Sequence, residues 1–181
     1  MGRNEVTAGL SELLERHLNG KPFVWGAEVS IEPLGACRPD YLSVSAPYGA
    51  FATLSDIERA EVSVYEVKSC MADLKSGHGM NLIGDYNFIV APYELMIEAV
   101  ERQCDGDRSM PTDRWGWAYP LHKDYKTLKT LRDMPRFEGD TKGWRLKFLP
   151  PNQIGPSRPM PIFVYLWALL HTRQKVVQDG R

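Results

Sequence analysis

The sequence predicts a single α/β domain in which a mixed β-sheet is flanked by helices. The length of 181 residues suits one domain, and 43% hydrophobic with 25% charged residues excludes collagen, a coiled coil or a disordered acidic tail. Segments of helical and strand periodicity follow one another in the order αβββαβαββα, which is typical of such a sheet. We expect one domain over 1–181, with a core at about 4–136, an irregular segment at 137–159 and a docking helix at 160–176.

The first elements are predicted to be a helix and a hairpin. Apolar residues recur at spacings of three and four from Val6 to Leu18, which gives a helix one apolar stripe, and Asn19-Gly20 ends it. Residues 23–31 and 41–45 are predicted strands. The stretch between them contains proline and glycine, as turns commonly do.

The centre of the chain alternates between strands and helices. Residues 62–68 are β-branched and aromatic and form the clearest strand. A short helix at 70–75 and a glycine-rich loop at 76–84 follow it. Residues 86–91 are a second apolar strand, and 93–103 suit a helix.

The last third is predicted to hold a hairpin and a final helix. Residues 114–121 and 127–131 are its two strands. Residues 135–159 are rich in proline and are expected to be irregular. Residues 161–175 form a helix that is apolar around most of its circumference, so we expect it to dock on the body of the domain. Its apolar part also suits a homodimer contact, although docking on its own core is the commoner outcome.

The chain offers no sign of a membrane or an oxidising compartment. Its most apolar run, 161–170, is shorter than the ~20 residues of a membrane span, and the first ten residues lack the apolar core of a signal peptide. Cys37, Cys70 and Cys104 form no CxxC pair, which argues against a zinc finger or a redox motif. We expect a cytoplasmic protein.

Charge is unevenly distributed, although the total is only −1. Residues 1–90 carry a net charge of −5, whereas residues 114–147 carry +5 and interleave basic with aromatic side chains. Cations neutralise phosphates and aromatic rings stack on unpaired bases, so this segment is a candidate nucleic-acid interface. An interpretation with tryptophans in the core and solvated cations fits equally well. The candidate contacts are Lys123, Lys126, Lys129, Arg132 and Arg136.

The strand at 62–68 carries charge where apolar residues are expected. Side chains alternate along a strand, so Val62, Val64, Glu66 and Lys68 share one face. Burying either charge without a partner costs several kcal/mol. A salt bridge, a metal ion or a solvent-filled cleft must therefore compensate for it.

Asp40 repeats this pattern at the start of the preceding strand, on the face of Leu42 and Val44. If the two strands are neighbours, Asp40, Glu66 and Lys68 converge near one edge of the sheet. Mg²⁺ typically binds one or two carboxylates together with water and substrate phosphate. A lysine adds a positive charge that orients water and offsets phosphate charge, so the trio suits metal-dependent hydrolysis of a phosphodiester.

The arrangement resembles the PD-(D/E)xK nuclease superfamily, whose fold is the restriction-endonuclease-like mixed sheet. The motif stands here as Pro39-Asp40 followed by Glu66-Val67-Lys68, after a leading helix and a hairpin and before a short helix, which is the order of the family's core. The stretch 65–74, YEVKSCMADL, is similar to the EVKSS-x-x-D-(F/L) stretch of MmcB-like bacterial repair nucleases and related phage proteins. Cys70 stands where serine is commoner, and 137–159 match nothing in that branch.

The resemblance implies specific roles in an endonuclease that cleaves DNA in repair or phage biology. Asp40, Glu66 and the backbone carbonyl of Val67 would hold Mg²⁺ or Mn²⁺, and Lys68 would position or activate the attacking water. Families of this kind often add a glutamate from the first helix, for which Glu5 is the first choice and Glu12 and Glu15 are alternatives. Ser69 and Asp73 would support the site.

Other interpretations of the same residues remain open. Asp40 can cap a turn after proline, Glu66 and Lys68 can form a salt bridge, and Glu5 can be a solvated helix residue. The chain can accordingly be a nuclease-fold module that binds nucleic acid or protein without cleaving it. It can also be an unrelated α/β structural protein.

Overall fold

A computed structural model describes residues 3–21, 23–31, 37–125, 133–152 and 158–178. Within them lie a six-stranded mixed sheet and flanking helices, as the sequence predicts in outline. The strands are β1 Phe23–Ala27, β2 Tyr41–Ser45, β3 Glu61–Val67, β4 Tyr86–Val90, β5 Gly116–His122 and β6 Trp144–Leu149. The helices are α1 Arg3–Asn19, α2 Leu54–Glu58, α3 Met71–Lys75, α4 Tyr93–Cys104 and α5 Ile162–Gln178.

Strands follow one another across the sheet in chain order, β1 to β6. β1, β2 and β3 pair antiparallel, β3, β4 and β5 pair parallel, and β6 returns antiparallel to β5. The carboxyl ends of β3, β4 and β5 therefore lie at the same edge as the starts of β2 and β6. We call this edge the carboxyl edge.

Alternation along the strands divides the core between two faces. Leu42 and Val64 face α5, which buries Tyr165 and Leu169 against them. The neighbouring positions on β2 and β3 face α1, whose leucines pack around Tyr65. Helices α3 and α4 pack near β4 and β5 in two further clusters. β3 is consequently covered on both sides, and a charged side chain near its end must lie under other elements.

The structure differs from the sequence prediction in the last third. The antiparallel partner of β5 is β6, whereas the whole of the predicted strand at 127–131 lies outside the described residues. The prediction that 137–159 is irregular is therefore wrong over Trp144–Leu149. The sequence of this strand does alternate between apolar and basic residues: Trp144, Leu146 and Phe148 are half-buried, and the cations between them are exposed.

The predicted order of elements also lacks helix α2. The residues that form this helix show a capping pattern at its start and no apolar stripe. The Thr53 side chain accepts from the Asp56 backbone N–H, and the Asp56 carboxylate accepts from the Thr53 backbone N–H. α2 buries no residue. The final helix is present as predicted, and no helix among the described residues has the length and apolarity that crossing a membrane requires.

Candidate functional site

Asp40 and Glu66 lie opposite each other where β2 begins and β3 ends. Tyr41 pairs with Tyr65, so the next position of the antiparallel register sets Asp40 against Glu66. The Val67 backbone N–H donates to Asp40 Oδ2 at 2.8 Å. The two predicted acids therefore meet at the carboxyl edge, on the face of the sheet that α5 covers.

Glu66 is a carboxyl group buried beside another carboxylate. It is 2% exposed, and its Oε1 is buried without a hydrogen-bond partner. Burial, followed by the negative charge of Asp40, raises the pKa of Glu66 to about 8, although Lys68 opposes this change. Binding of a proton or of a cation would neutralise the buried negative charge of Glu66 and so remove its energetic cost.

Lys68 completes the trio on the same face. It is 4% exposed and donates from Nζ to the His78 carbonyl at 2.7 Å. The same Nζ lies 3.9 Å from Glu66 Oε2 and 3.9 Å from Asp73 Oδ1. The ammonium is therefore held by one hydrogen bond and two carboxylates, one of which is Asp73.

The loop 76–84 covers Glu66 and Lys68. Gly79 has φ +76°, and a Cβ on it would overlap Glu66 Oε2. Only glycine fits there without displacing the carboxylate or the loop. The sequence alone does not indicate a role for Gly79 or for the His78 carbonyl, because their positions depend on how the loop folds back over β3.

A cavity of about 360 Å³ opens immediately after the ExK strand. Ser69 and Cys70 form part of its wall, with Glu94 from α4 and the predicted nucleic-acid contact Arg136. Ser69 Oγ and Glu94 Oε2 are buried and have no hydrogen-bond partner. The cavity wall thus holds one buried hydroxyl, on the residue that follows Lys68 in the chain, and one arginine. It also holds three carboxyl groups, those of Glu94, Glu98 and Glu138.

The three α1 glutamates are positioned differently. Glu5 is exposed in the first turn, next to Val6, which lines the cavity. Glu12 is engaged by Arg16 Nη2 and by Thr141 Oγ1, both at 2.6 Å. Glu15 Oε1 accepts from the Tyr41 hydroxyl at 2.8 Å. α1 packs on the opposite face of the sheet from Glu66, so a role for Glu5 beside the trio stays a prediction.

The predicted nucleic-acid contacts are only partly within the described residues. Lys126, Lys129 and Arg132 lie outside them. Lys123 is exposed directly after β5, at the carboxyl edge, and its backbone N–H donates to the Gly143 carbonyl. The aromatic residues of the segment pack into the protein: Trp115 is 6% and Tyr119 5% exposed. For these two rings the core interpretation is correct.

The donor set can be compared with the needs of a divalent cation. Among the described residues no group of three or more His, Cys, Asp or Glu side chains is poised to hold a metal. Mg²⁺ requires fewer protein ligands, commonly one or two carboxylates completed by water and substrate. Asp40, Glu66 with its unsatisfied Oε1, and the Val67 carbonyl suit that smaller set.

Comparison with known proteins supports the fold alone. The structure is similar to that of the SPO1766 protein of unknown function from Silicibacter pomeroyi, with a TM-score of 0.57 and 16% identity over 95% of this chain and 88% of that one. No protein-family model and no curated protein matches the sequence significantly.

Proposed function

We propose that this protein is a nuclease that uses Mg²⁺ or Mn²⁺ to hydrolyse DNA phosphodiester bonds. The observation that carries the proposal is the convergence of Asp40, Glu66 and Lys68 at one sheet edge, with Glu66 Oε1 buried and unsatisfied. Two facing carboxylates attract a cation more strongly than either does alone. The order of helix, hairpin, ExK strand and short helix also supports a restriction-endonuclease-like core.

Each residue has a distinct role in this proposal. Asp40, Glu66 and the Val67 carbonyl would hold the cation, which, when bound, polarises the phosphate and lowers the pKa of water. Lys68 orients the attacking water and offsets charge on the phosphate. The water oxygen forms a bond to phosphorus and loses a proton to solvent. The ester P–O bond breaks, and the leaving alkoxide takes up a proton from solvent. Asp73 keeps the Lys68 side chain on the correct side of the strand.

DNA would approach along the carboxyl edge. Arg136 and Ser69, which line the cavity that follows Lys68, would contact a phosphate next to the cleaved bond, and Glu94, Glu98 and Glu138 of the same cavity oppose it. Lys123 is exposed at the same edge, two strands from β3, or about 10 Å at ordinary strand spacing. The loop 76–84 must move for substrate to reach Lys68, whose Nζ is engaged by the His78 carbonyl.

Cleavage of supercoiled plasmid, duplex and single-stranded DNA with Mg²⁺ or Mn²⁺ tests the proposal. We expect nicking that EDTA abolishes and that Asp40→Ala and Lys68→Ala each reduce at least about a hundredfold. Lys75→Ala is the matched control, because Lys75 is an exposed lysine of α3 paired with Asp107. Activity in both site variants equal to that of the control would refute the assignment.

The burial of Glu66 and Lys68 favours a second candidate, a nuclease-fold module that binds DNA without cutting it. Glu66 and Lys68 are 2% and 4% exposed, and Lys68 already has partners for its charge. The same assay separates the two candidates. DNA binding that weakens steeply with salt, in a protein that cleaves nothing with either cation, identifies the binding module.

A further inference from the structure

Helix α5 leaves an apolar stripe uncovered on its outer side. Its inner side buries Tyr165 and Leu169, whereas Phe163, Trp167 and Leu170 are 65%, 63% and 57% exposed. Large apolar side chains that are exposed singly are normal, but three that share one face of a helix mark an interaction surface. Tyr48 and Leu54, the other strongly exposed apolar residues among those described, lie on a different part of the chain.

The stripe forms the floor of a groove of about 910 Å³. Val164 and Leu166 extend its apolar lining, while Glu28, Ser30 and Arg38 form the polar part. Arg38 Nη1 and Glu28 Oε2 lie 3.4 Å apart, and both side chains are more than half exposed. The groove therefore has an apolar floor and a rim of both charge signs.

We propose that this groove is the interface of a homodimer, in which α5 of one protomer packs against α5 of a second copy. Phe163, Trp167 and Leu170 are spaced by four and three residues, which is the spacing of the seam between two packed helices. The partner that such a seam fits is a helix with a matching apolar stripe, and this chain supplies one itself. This proposal does not depend on the nuclease assignment.

The rim charges favour a second copy over other occupants. In a two-fold interface each surface meets itself, so a rim with one acid and one base is complementary to its own copy. A nucleic acid would place phosphates against Glu28 and against an apolar floor, which disfavours it.

The area of the stripe indicates a weak dimer. The three side chains expose about 400 Å², given 150–250 Å² for a whole aromatic side chain. A stable interface buries about 800 Å² on each partner, so the groove walls must supply the remainder. We expect a dissociation constant in the micromolar range.

Sedimentation velocity of the full chain, from about 1 μM to about 500 μM, tests the proposal. The weight-average mass of the wild type should rise with concentration from that of one 20.6 kDa chain towards twice that value. Trp167→Glu should weaken association about thirtyfold or more. Leu54→Glu, which adds the same charge at a 79% exposed position on α2, should associate like the wild type.

Rim variants keep the test independent of any effect of Trp167→Glu on folding. Arg38→Glu and Glu28→Arg change exposed residues and should each weaken self-association, and an equimolar mixture of the two should associate more strongly than either alone. A wild type that stays monomeric throughout the range overturns the proposal. So does a dimer that neither the stripe nor the rim variants affect.

Discussion

Gly79 lies so close to the Glu66 carboxylate that a single added carbon would overlap Oε2. The neighbouring His78 carbonyl accepts a hydrogen bond from Lys68, so this one turn of the loop contacts both charged residues of the ExK motif. The glycine-rich loop is thus part of the site, and the sequence offers a matched pair of glycines with which to measure its contact.

The first prediction compares Gly79→Ala with Gly77→Ala. Both glycines have positive φ, so alanine costs about 1 kcal/mol at either position from backbone conformation alone. A Cβ on Gly77 meets nothing within 4 Å, whereas a Cβ on Gly79 meets Glu66. We expect Gly79→Ala to lower the free energy of unfolding by about 2–4 kcal/mol in urea denaturation, more than Gly77→Ala does.

A double-mutant cycle tests the cause of this difference. In a Glu66→Ala background, Gly79→Ala should cost no more than Gly77→Ala, because the overlapping carboxylate is gone. Equal costs of the two glycine variants in the wild-type background would show that the loop does not pack on Glu66.

The second prediction concerns the pH dependence of stability without divalent cations. Burial raises the pKa of Glu66 from the ordinary 4.5 to about 8. Between these values the folded protein keeps a proton that the unfolded chain has released, so the free energy of unfolding falls as pH rises, by at most about 1.4 kcal/mol per pH unit.

Glu66→Gln provides the comparison for this effect, since its amide does not titrate. Urea unfolding of both proteins in EDTA, from pH 5 to pH 8, should show the wild type losing stability relative to Glu66→Gln as pH rises. A constant difference between the two proteins across this range would mean that Glu66 titrates normally.

The third prediction concerns a bridge at the opposite edge of the sheet. Asp85 Oδ2 accepts from the Val62 backbone N–H at 2.8 Å and from Arg158 Nη1 at 2.6 Å, and this nitrogen also donates to the Ala60 carbonyl. The bridge joins the segment before α5 to the start of β3. Asp85→Ala should cost about 2–3 kcal/mol, because it leaves a largely buried guanidinium without its carboxylate.

Glu98→Ala is the control for this charge deletion. Glu98 pairs with Arg102 one turn away on the exposed side of α4, where such a pair contributes about 0.3–0.5 kcal/mol. Thermal or urea unfolding of both variants gives the comparison. Similar losses of stability in the two would show that Asp85 is solvated in the same way as Glu98.

The meeting of Asp40 and Glu66 could be predicted because alternation along a strand is local information. Each acid continues an apolar face, and an antiparallel pair of strands brings the two strand ends together. The cover over Glu66 could not be predicted in this way. A glycine-rich loop is recognisable from composition, but which side chain it packs on depends on the path of the chain in three dimensions.

Strand β6 shows a different reason for error. The alternation of apolar and basic residues at 144–149 was present, but the prolines that follow favoured an irregular segment. Proline excludes a strand only where it stands, and those prolines come after β6 ends at Leu149. The alternation should therefore have decided the interpretation.

The location of a bound cation tests the central claim most directly. In crystals grown with Mn²⁺, anomalous diffraction should give a peak about 2.0–2.3 Å from carboxylate oxygens of both Asp40 and Glu66, with the Val67 carbonyl beside it. The peak should be absent from Asp40→Ala crystals grown in the same way. A wild-type crystal in which these two carboxylates contact no ion at saturating Mn²⁺ would contradict the claim.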